Sequence, residues 1–426
     1  MTVADRSFDV IICGAGAGGL TAAIGLGRQG HRVLLVDKLR DTVNTFKGEL
    51  LQPSSLVSLD SLGNLTSLVG SGARRIDRLV SSNALDEELC SMDYRWLPDP
   101  YNHCLTHTYK AILDNFIAVL PPTVEFRRGV VIDHALMDDS GRICGIETRD
   151  GKLRDQLYAP LVVAADGYSS KLRAQVGIEI DAVEYDHQVI AFDLEDEPHL
   201  KDTANTVVTA EGMRVMYPMP DNGGRLYVQI PHGFVNGIGK RAVPAWMDSV
   251  IRSCPALVPL TDSIHRSVAT SRVLSARRFV APVFHGAGMP LLGDAAHAVH
   301  PMAGQGMNAA IADAMALADV LDGVEVSDRT GVDAALAAYN LKRRADVQTL
   351  SEFSHRFADL LTNTSSRPGF ARTRYILGCH GRNQRLCYKI MHNISGLGYQ
   401  RFTVLDRLQQ LGFPDRKADR VPALTG

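Results

Sequence analysis

The stretch from Phe8 to Asp37 constrains the fold more than any other part of the chain. Phe8-Asp9-Val10-Ile11-Ile12-Cys13 is a run of apolar and β-branched residues, the pattern of a strand buried on both faces of a parallel sheet. It runs directly into Gly14-Ala15-Gly16-Ala17-Gly18-Gly19, which satisfies G-x-G-x-x-G through Gly14, Gly16 and Gly19. A helix is predicted from Leu20 to about Arg28, ending at Gly30, and a second strand over Arg32–Val36. That strand is closed by Asp37, 18 positions past Gly19. In this strand–turn–helix–strand–acid setting each residue has a task. Gly14 makes the tight turn, Gly16 admits a pyrophosphate to the backbone, and Gly19 lets helix and strand pack closely. Asp37 accepts from a ribose 2′-hydroxyl. Ala15 in the loop and Lys38 after the acid join the candidate contacts. The reading is a dinucleotide with an unphosphorylated ribose, NAD or FAD rather than NADP.

Two further strand ends repeat the theme. Leu161–Ala165 leads into Asp166-Gly167-Tyr168-Ser169-Ser170, with Arg173 following. Leu291-Leu292-Gly293-Asp294-Ala295-Ala296-His297 leads through His300 and Pro301 to Gly304-Gln305-Gly306-Met307-Asn308. From there Ala310, Ile311, Ala314, Leu317, Ala318 and Leu321 recur at helical spacing. The N–H groups and positive dipole end of such a helix favour negative charge. An acid such as Asp294 beside them suits a hydroxyl instead. The expected ligand is therefore large, partly anionic and rich in hydroxyls. Three such loops belong at the carboxyl edge of one parallel sheet, where open α/β sheets bind ligands.

Composition bounds the rest. At 426 residues the chain has room for two domains or more. An apolar fraction of 45% and a charged fraction of 22% are those of a soluble globular protein. A net charge of −2 gives no sign of nucleic acid as a partner. The seven cysteines form no C-x-x-C pair, so neither a metal site nor a disulfide framework is expected. A strand starting by about Phe8 leaves no room for a signal peptide, and no apolar run reaches membrane-spanning length. A cytoplasmic protein is expected.

Val124–Arg128, Val130–Met137 and Arg142–Thr148 read as antiparallel strands after a helix over Ala111–Leu120. Between Asp186 and Pro231 the texture changes to alternating strands with a strong hairpin turn at Pro220-Asp221-Asn222-Gly223-Gly224. The last hundred residues read as helices rich in Arg and Leu. The predicted architecture is α/β: a Rossmann-type parallel sheet with an antiparallel meander, an antiparallel-sheet substrate domain, and C-terminal helices. The dinucleotide domain is placed at 1–74, 102–180 and 280–326, the substrate domain at 75–101 and 181–279, and the helical region at 327–426.

Taken together, Gly14–Gly19 with Asp37, Asp166-Gly167 through Arg173, and Gly293-Asp294 through Asn308 resemble, in order and separation, the three fingerprints of FAD-dependent monooxygenases of the para-hydroxybenzoate hydroxylase type. Gly48-Glu49-Leu50-Leu51-Gln52-Pro53, with Lys47 before it, resembles a run in squalene-epoxidase-like members. The resemblance implies that Gly14, Gly16 and Gly19 hold the FAD pyrophosphate and Asp37 the adenosine ribose. Asp166 and Gly167 would meet FAD and the transient pyridine nucleotide, Gly293 and Asp294 the ribityl chain. The backbone of Gly304, Gly306, Met307 and Asn308 would face the flavin pyrimidine edge, Pro301 the flavin face where substrate docks. Glu49 or Gln52 would reach the ligand. Lys110 stands where an Arg is common, and a point charge lacks the Arg fork.

The implied activity is a monooxygenase of secondary metabolism that consumes NADPH or NADH and O₂, hydroxylating or epoxidising an apolar aromatic or polycyclic small molecule. Candidates over the flavin are Tyr217, Tyr227, Gln229, His232 and His300. Cross-strand packing explains a strand Tyr or Gln equally well, and His297 reads as structural. Met213, Met216, Tyr217, Met219 and Tyr227 suggest an apolar substrate or an ordinary core. Arg372, Arg374, Lys389 and Arg401 on the last helices suit a membrane surface or a solvated face. A monomer or homodimer is expected. Two alternatives stand beside the oxygenase: a flavin-dependent isoprenoid reductase, and a non-oxygenating carrier on the FAD fold. Halogenation is disfavoured, since Trp96 and Trp246 form no Trp-x-Trp signature.

Overall fold

The computed structural model describes residues 8–46, 48–151, 153–197 and 199–421; Lys47 of the Gly-Glu-Leu-Leu-Gln-Pro stretch lies outside them. The first strand, Val10–Cys13, is fully buried, as its apolar run requires. It pairs in parallel with Val33–Asp37 on one side and Leu161–Ala164 on the other. Leu291 adds a parallel bridge to Ala164, and Leu292 N–H donates to the Ala164 carbonyl at 2.9 Å. Three strand ends, each followed by a predicted binding loop, thus lie side by side.

Val124–Arg128 was expected to open the antiparallel meander. Instead it closes the far edge of the parallel sheet, in register with Val33–Asp37. An edge strand is covered on one side only, so it alternates like an antiparallel one. The meander is made by Val131–Met137, Ile143–Asp150 and Leu153–Tyr158, the last not anticipated.

Small residues bring the two helices of the site together. The glycine-loop helix, Ala17–Arg28, crosses the helix Gly306–Leu321. A Cβ on Gly18 would lie 3.1 Å from the Ala310 carbonyl oxygen, and one on Gly25 would lie 2.9 Å from Ala318 Cβ. No larger side chain fits that crossing without a shift.

The second layer is an eight-stranded sheet, in spatial order 297–298, 272–280, 183–194, 224–231, 212–218, 203–209, 78–83 and 88–93. Its predicted hairpin turn has Asp221 and Asn222 both in left-handed conformation, at φ 57° and 55°, as a type I′ turn demands. Strand alternation splits the expected Met–aromatic set. Met213, Tyr217 and Tyr227 face the C-terminal helices, whereas Met216 points through the sheet into the core with Leu226 and Val228. Met216 therefore belongs to the ordinary core on the opposite face of the sheet from Tyr217. The C-terminal helices span Arg329–Thr362, Arg367–Gly381, Gln384–Ser395 and Val404–Gln410. Among the described residues no helix is long and apolar enough to cross a membrane.

Candidate active site

The glycine loop separates what the protein needs for itself from what it leaves to a ligand. Gly14 has φ +112°, and a Cβ there would lie 2.2 Å from the Ala165 carbonyl oxygen. A Cβ on Gly19 would lie 1.9 Å from the Gly14 carbonyl oxygen. Both positions are dictated by the chain's own backbone. A Cβ on Gly16 would meet only the Tyr109 hydroxyl, at 3.6 Å. The helix it caps begins with no side-chain cap and no acid in its first turn, an arrangement that accepts an anion. Asp37 accepts from Ala15 N–H and Leu39 N–H, each at 2.7 Å, and a carboxylate has lone pairs left for a hydroxyl. Lys38 is exposed beside it.

This separation predicts opposite phenotypes for two substitutions. Gly16→Val should leave the apoprotein within about 1 kcal/mol of wild type while weakening FAD binding at least about tenfold. Gly14→Ala should instead destabilise the apoprotein by about 1–3 kcal/mol. Chemical unfolding and FAD titration of both variants measure this directly.

At the second loop, the Asp166 Oδ2 accepts from Lys171 N–H at 3.0 Å. Its Oδ1 is buried with no protein partner. Burial pushes this carboxyl up, while Ser170 and nearby backbone N–H groups pull it down. Gly167, at φ +88°, has open space around it. Arg173 donates to the Ala295 carbonyl at 2.8 Å and the Tyr168 carbonyl at 3.1 Å, tying the second loop to the third.

The third loop rests on a buried charge cluster that pattern reading missed. Asp313 Oδ2 accepts from Gly293 N–H at 3.0 Å and meets His297 Nε2 at 2.6 Å, while Oδ1 accepts from Arg343 Nε at 2.8 Å. The signal for it was one acid on the otherwise apolar face of the helix after Met307. This cluster fixes Gly293, at φ +55°, and so presents the exposed Asp294. Tyr109 stands between the first and third loops. Burial, then the carboxylates of Asp294 and Asp37, push its hydroxyl up to about 12. Lys110, the sequence candidate, is exposed and bonded to Asp114 one helical turn on.

The helix start at Gly306 also lacks a side-chain cap and a first-turn acid. Nothing lies within 4 Å of a Cβ built on Gly306, and Met307 is half-buried against Gly48. Asn308 braces the loop itself. Its Oδ1 accepts from Gln52 N–H at 2.8 Å, and its Nδ2 donates to Leu50 and Gly304 carbonyls at 3.0 and 2.6 Å. Pro301 is exposed at the turn before it.

Four candidates point elsewhere. Glu49 is buried in a two-pronged ion pair with Arg225, at 2.6 and 2.9 Å, and accepts from Tyr217 and Tyr227 hydroxyls at 3.2 Å each. Gln229 donates to the Thr362 carbonyl at 2.9 Å and accepts from Met213 N–H at 3.1 Å. His300 is buried, accepts from Met302 N–H at 3.1 Å and meets His187 at 3.1 Å. Its nitrogens hold the turn that carries Pro301. Its imidazole is pushed down to about 3 by burial and by two neighbouring histidines, so it is neutral at pH 7. His232 lies exposed just beyond its strand.

The groups left over suit FAD. Open backbone and an uncapped helix start at Gly16 suit the pyrophosphate, and Asp37 suits a ribose. The partnerless Asp166 Oδ1 and the exposed Asp294 suit hydroxyls of the linker. The uncapped start at Gly306 suits the electron-rich edge of the ring.

Comparison with known proteins agrees. A family model described as FAD binding domain matches residues 7–354. The 6-methylpretetramide 4-monooxygenase of Streptomyces rimosus is 29% identical over 324 residues, covering 74% of this chain and 75% of that protein. Squalene epoxidase 3 of Arabidopsis thaliana is 25% identical over 358 residues, covering 80% and 66%. The crystal structure of Pseudomonas aeruginosa PqsL with 2-aminobenzoylacetate superposes with a TM-score of 0.75 at 25% identity, covering 86% of this chain and 99% of that one. By the match over residues 7–354 and the geometry of its three loops, the chain belongs to the FAD-binding-domain family of flavoprotein monooxygenases.

Proposed function

We propose that the enzyme oxygenates an apolar, planar aromatic or polycyclic molecule held between the Pro301–Ala303 turn and the sheet face of Tyr217 and Tyr227. The observation carrying this reading is a shared apolar cluster: Met302 from the turn and Leu50 from the Gly48–Pro53 run pack with Met213, Tyr217 and Tyr227. The aromatic names of the Streptomyces and Pseudomonas relatives support it. When bound, FAD would supply the activation of O₂, with NADH or NADPH as the electron source. The protein's part is to bind, orient and exclude water. The helix start at Gly306 favours negative charge on the ring edge. Burial pushes the Tyr217 and Tyr227 hydroxyls far above their ordinary range, so both stay protonated and donate to Glu49. Neither serves as a base, and the reading needs none.

The squalene epoxidase likeness favours a second reading, epoxidation of an alkene. In the shared run, Gln52 accepts from the Tyr94 hydroxyl at 2.7 Å. Anaerobic flavin reduction by NADH and NADPH with a panel of phenols, quinolones, polyketides and polyprenyls separates the two. Faster reduction with one class, and label from ¹⁸O₂ in its product, identifies the substrate. Reduction without label in any product favours a reductase, and no reduction at all a carrier.

The C-terminal segment adds a peripheral membrane contact to this proposal. Val404, Leu405, Leu408, Leu411 and Phe413 are exposed close to Arg401 and Arg407, the composition of an interfacial surface. Co-sedimentation with anionic vesicles should fall at least severalfold in Leu405→Glu/Phe413→Glu; equal sedimentation would remove this part of the proposal.

A further inference from the structure

A cavity lies among the C-terminal helices, lined by none of the three loops or the strands of the eight-stranded sheet. It measures about 270 Å³, near the lower edge of small-molecule sites, about 300–1,000 Å³. Its walls are aromatic. Phe353 and Phe357 stack with ring centroids 6.1 Å apart and planes 6° apart, and Phe402 also lines the cavity. His380 is 3% exposed, lines the cavity, and has a buried Nε2 with no partner. A buried polar atom left unpaired costs free energy unless a ligand or water meets it.

Its lining carries three exposed arginines, Arg356, Arg372 and Arg407, against two acids, Glu352 and Asp359. Asp359 is engaged by Arg372 at 3.4 Å. Among the described residues no acid lies within ion-pair distance of Arg356 or Arg407. Arg407 stacks on Phe402, its guanidinium carbon 4.7 Å from the ring centroid, which turns a planar donor along the wall. Burial first, and the neighbouring Arg356 second, push the Arg407 guanidinium down. Burial and Arg407 push His380 down to about 4, so at pH 7 it is neutral and its ring nitrogen can pair with a hydroxyl.

We infer that this cavity is a second ligand site, taking a one- or two-ring aromatic acid. The ring lies among Phe353, Phe357 and Phe402, the acid group meets Arg356 and Arg407, and a ring hydroxyl reaches His380 Nε2. No lining residue belongs to the flavin loops or to the sheet face of Tyr217 and Tyr227, but Phe353, Phe357 and Phe402 share the apolar cluster on which the substrate reading rests, so the test follows flavin absorbance to tell the two sites apart.

The test is calorimetric titration of the FAD-loaded enzyme with 1-hydroxy-2-naphthoate, following flavin absorbance in parallel. The expected result is a binding event without a change in flavin absorbance. It should weaken at least about tenfold in Arg356→Gln and Arg407→Gln, whose side chains are exposed and whose FAD content should be unchanged. His380→Phe should abolish it by filling the base. Should that variant misfold, the two arginine variants carry the test alone. Three results would overturn the inference: undiminished binding in both arginine variants, equal affinity for uncharged 2-naphthol, or heat that tracks flavin absorbance throughout. NADH consumption by the same variants keeps this outcome apart from that of the oxygenase proposal.

Discussion

Glu49→Ala is expected to destabilise the protein by about 3–5 kcal/mol, because it strands a fully buried guanidinium. Arg225 and Glu49 are both 0% exposed in their side chains and meet at 2.6 Å. The Phe46 ring covers the guanidinium at 4.2 Å, and Asp193, half exposed, is its remaining acid at 3.1 Å. Burial pushes the Glu49 carboxyl up, while Arg225 and the two tyrosines pull it down. With two short charge-assisted bonds and two hydroxyl donors on it, the ionised form is the one the geometry favours. The pair joins the Gly48–Pro53 run to the eight-stranded sheet, so its loss should also loosen the apolar cluster of Leu50, Met302 and Tyr227. Urea unfolding of Glu49→Ala, Arg225→Met and the double variant supplies the cycle. The double variant should recover much of the loss, since removing both charges leaves no buried charge unpaired. A cost below about 1 kcal/mol for Glu49→Ala would mean that water reaches Arg225.

The parts of this site visible in the sequence are those whose chemistry is local. Gly14, Gly16, Gly19 and Asp37 follow from spacing within one strand–helix–strand unit, and Asp166 and Asp294 from strand ends that stop at a glycine pair. The parts not visible depend on distant partners. Glu49 finds Arg225 176 positions away, and nothing near Glu49 distinguishes a cofactor ligand from half of an ion pair. Lys110 and Tyr109 differ by one position, yet one helical step turns a side chain by about 100°. With Thr108 as the N-cap, Tyr109 faces the glycine loop and Lys110 faces solvent. Val124–Arg128 shows the same limit for strands, since alternation reports one covered face and not the direction of the neighbour. Met216 takes the core alternative because two-residue periodicity places it opposite Tyr217, which grouping by residue type does not resolve.

Asp313→Ala should be the most damaging change at the cofactor site itself, costing about 3–5 kcal/mol and most of the bound FAD. It removes one acceptor from Gly293 N–H, the partner of His297 and the main partner of the buried Arg343, whose other acid, Asp346, is exposed and 3.2 Å away. Without these bonds the left-handed turn at Gly293 has no brace, and Asp294 loses its fixed position. The effect carries a pH signature. Burial alone would raise the Asp313 carboxyl, but His297 and Arg343 outweigh it and hold the group below the ordinary carboxylate range. A depressed acid contributes stability that is present above its unfolded value, about 3.9, and lost as pH falls through the folded one. The gap between wild type and Asp313→Asn should therefore be full at pH 6–7 and shrink as the pH is taken below about 4. Unfolding of FAD-free protein across that range isolates the brace from the stabilisation that FAD binding adds by mass action. A gap unchanged with pH would mean that Asp313 carries no folding-linked proton. Loss of FAD without loss of apoprotein stability would instead locate its whole effect in the Gly293 turn.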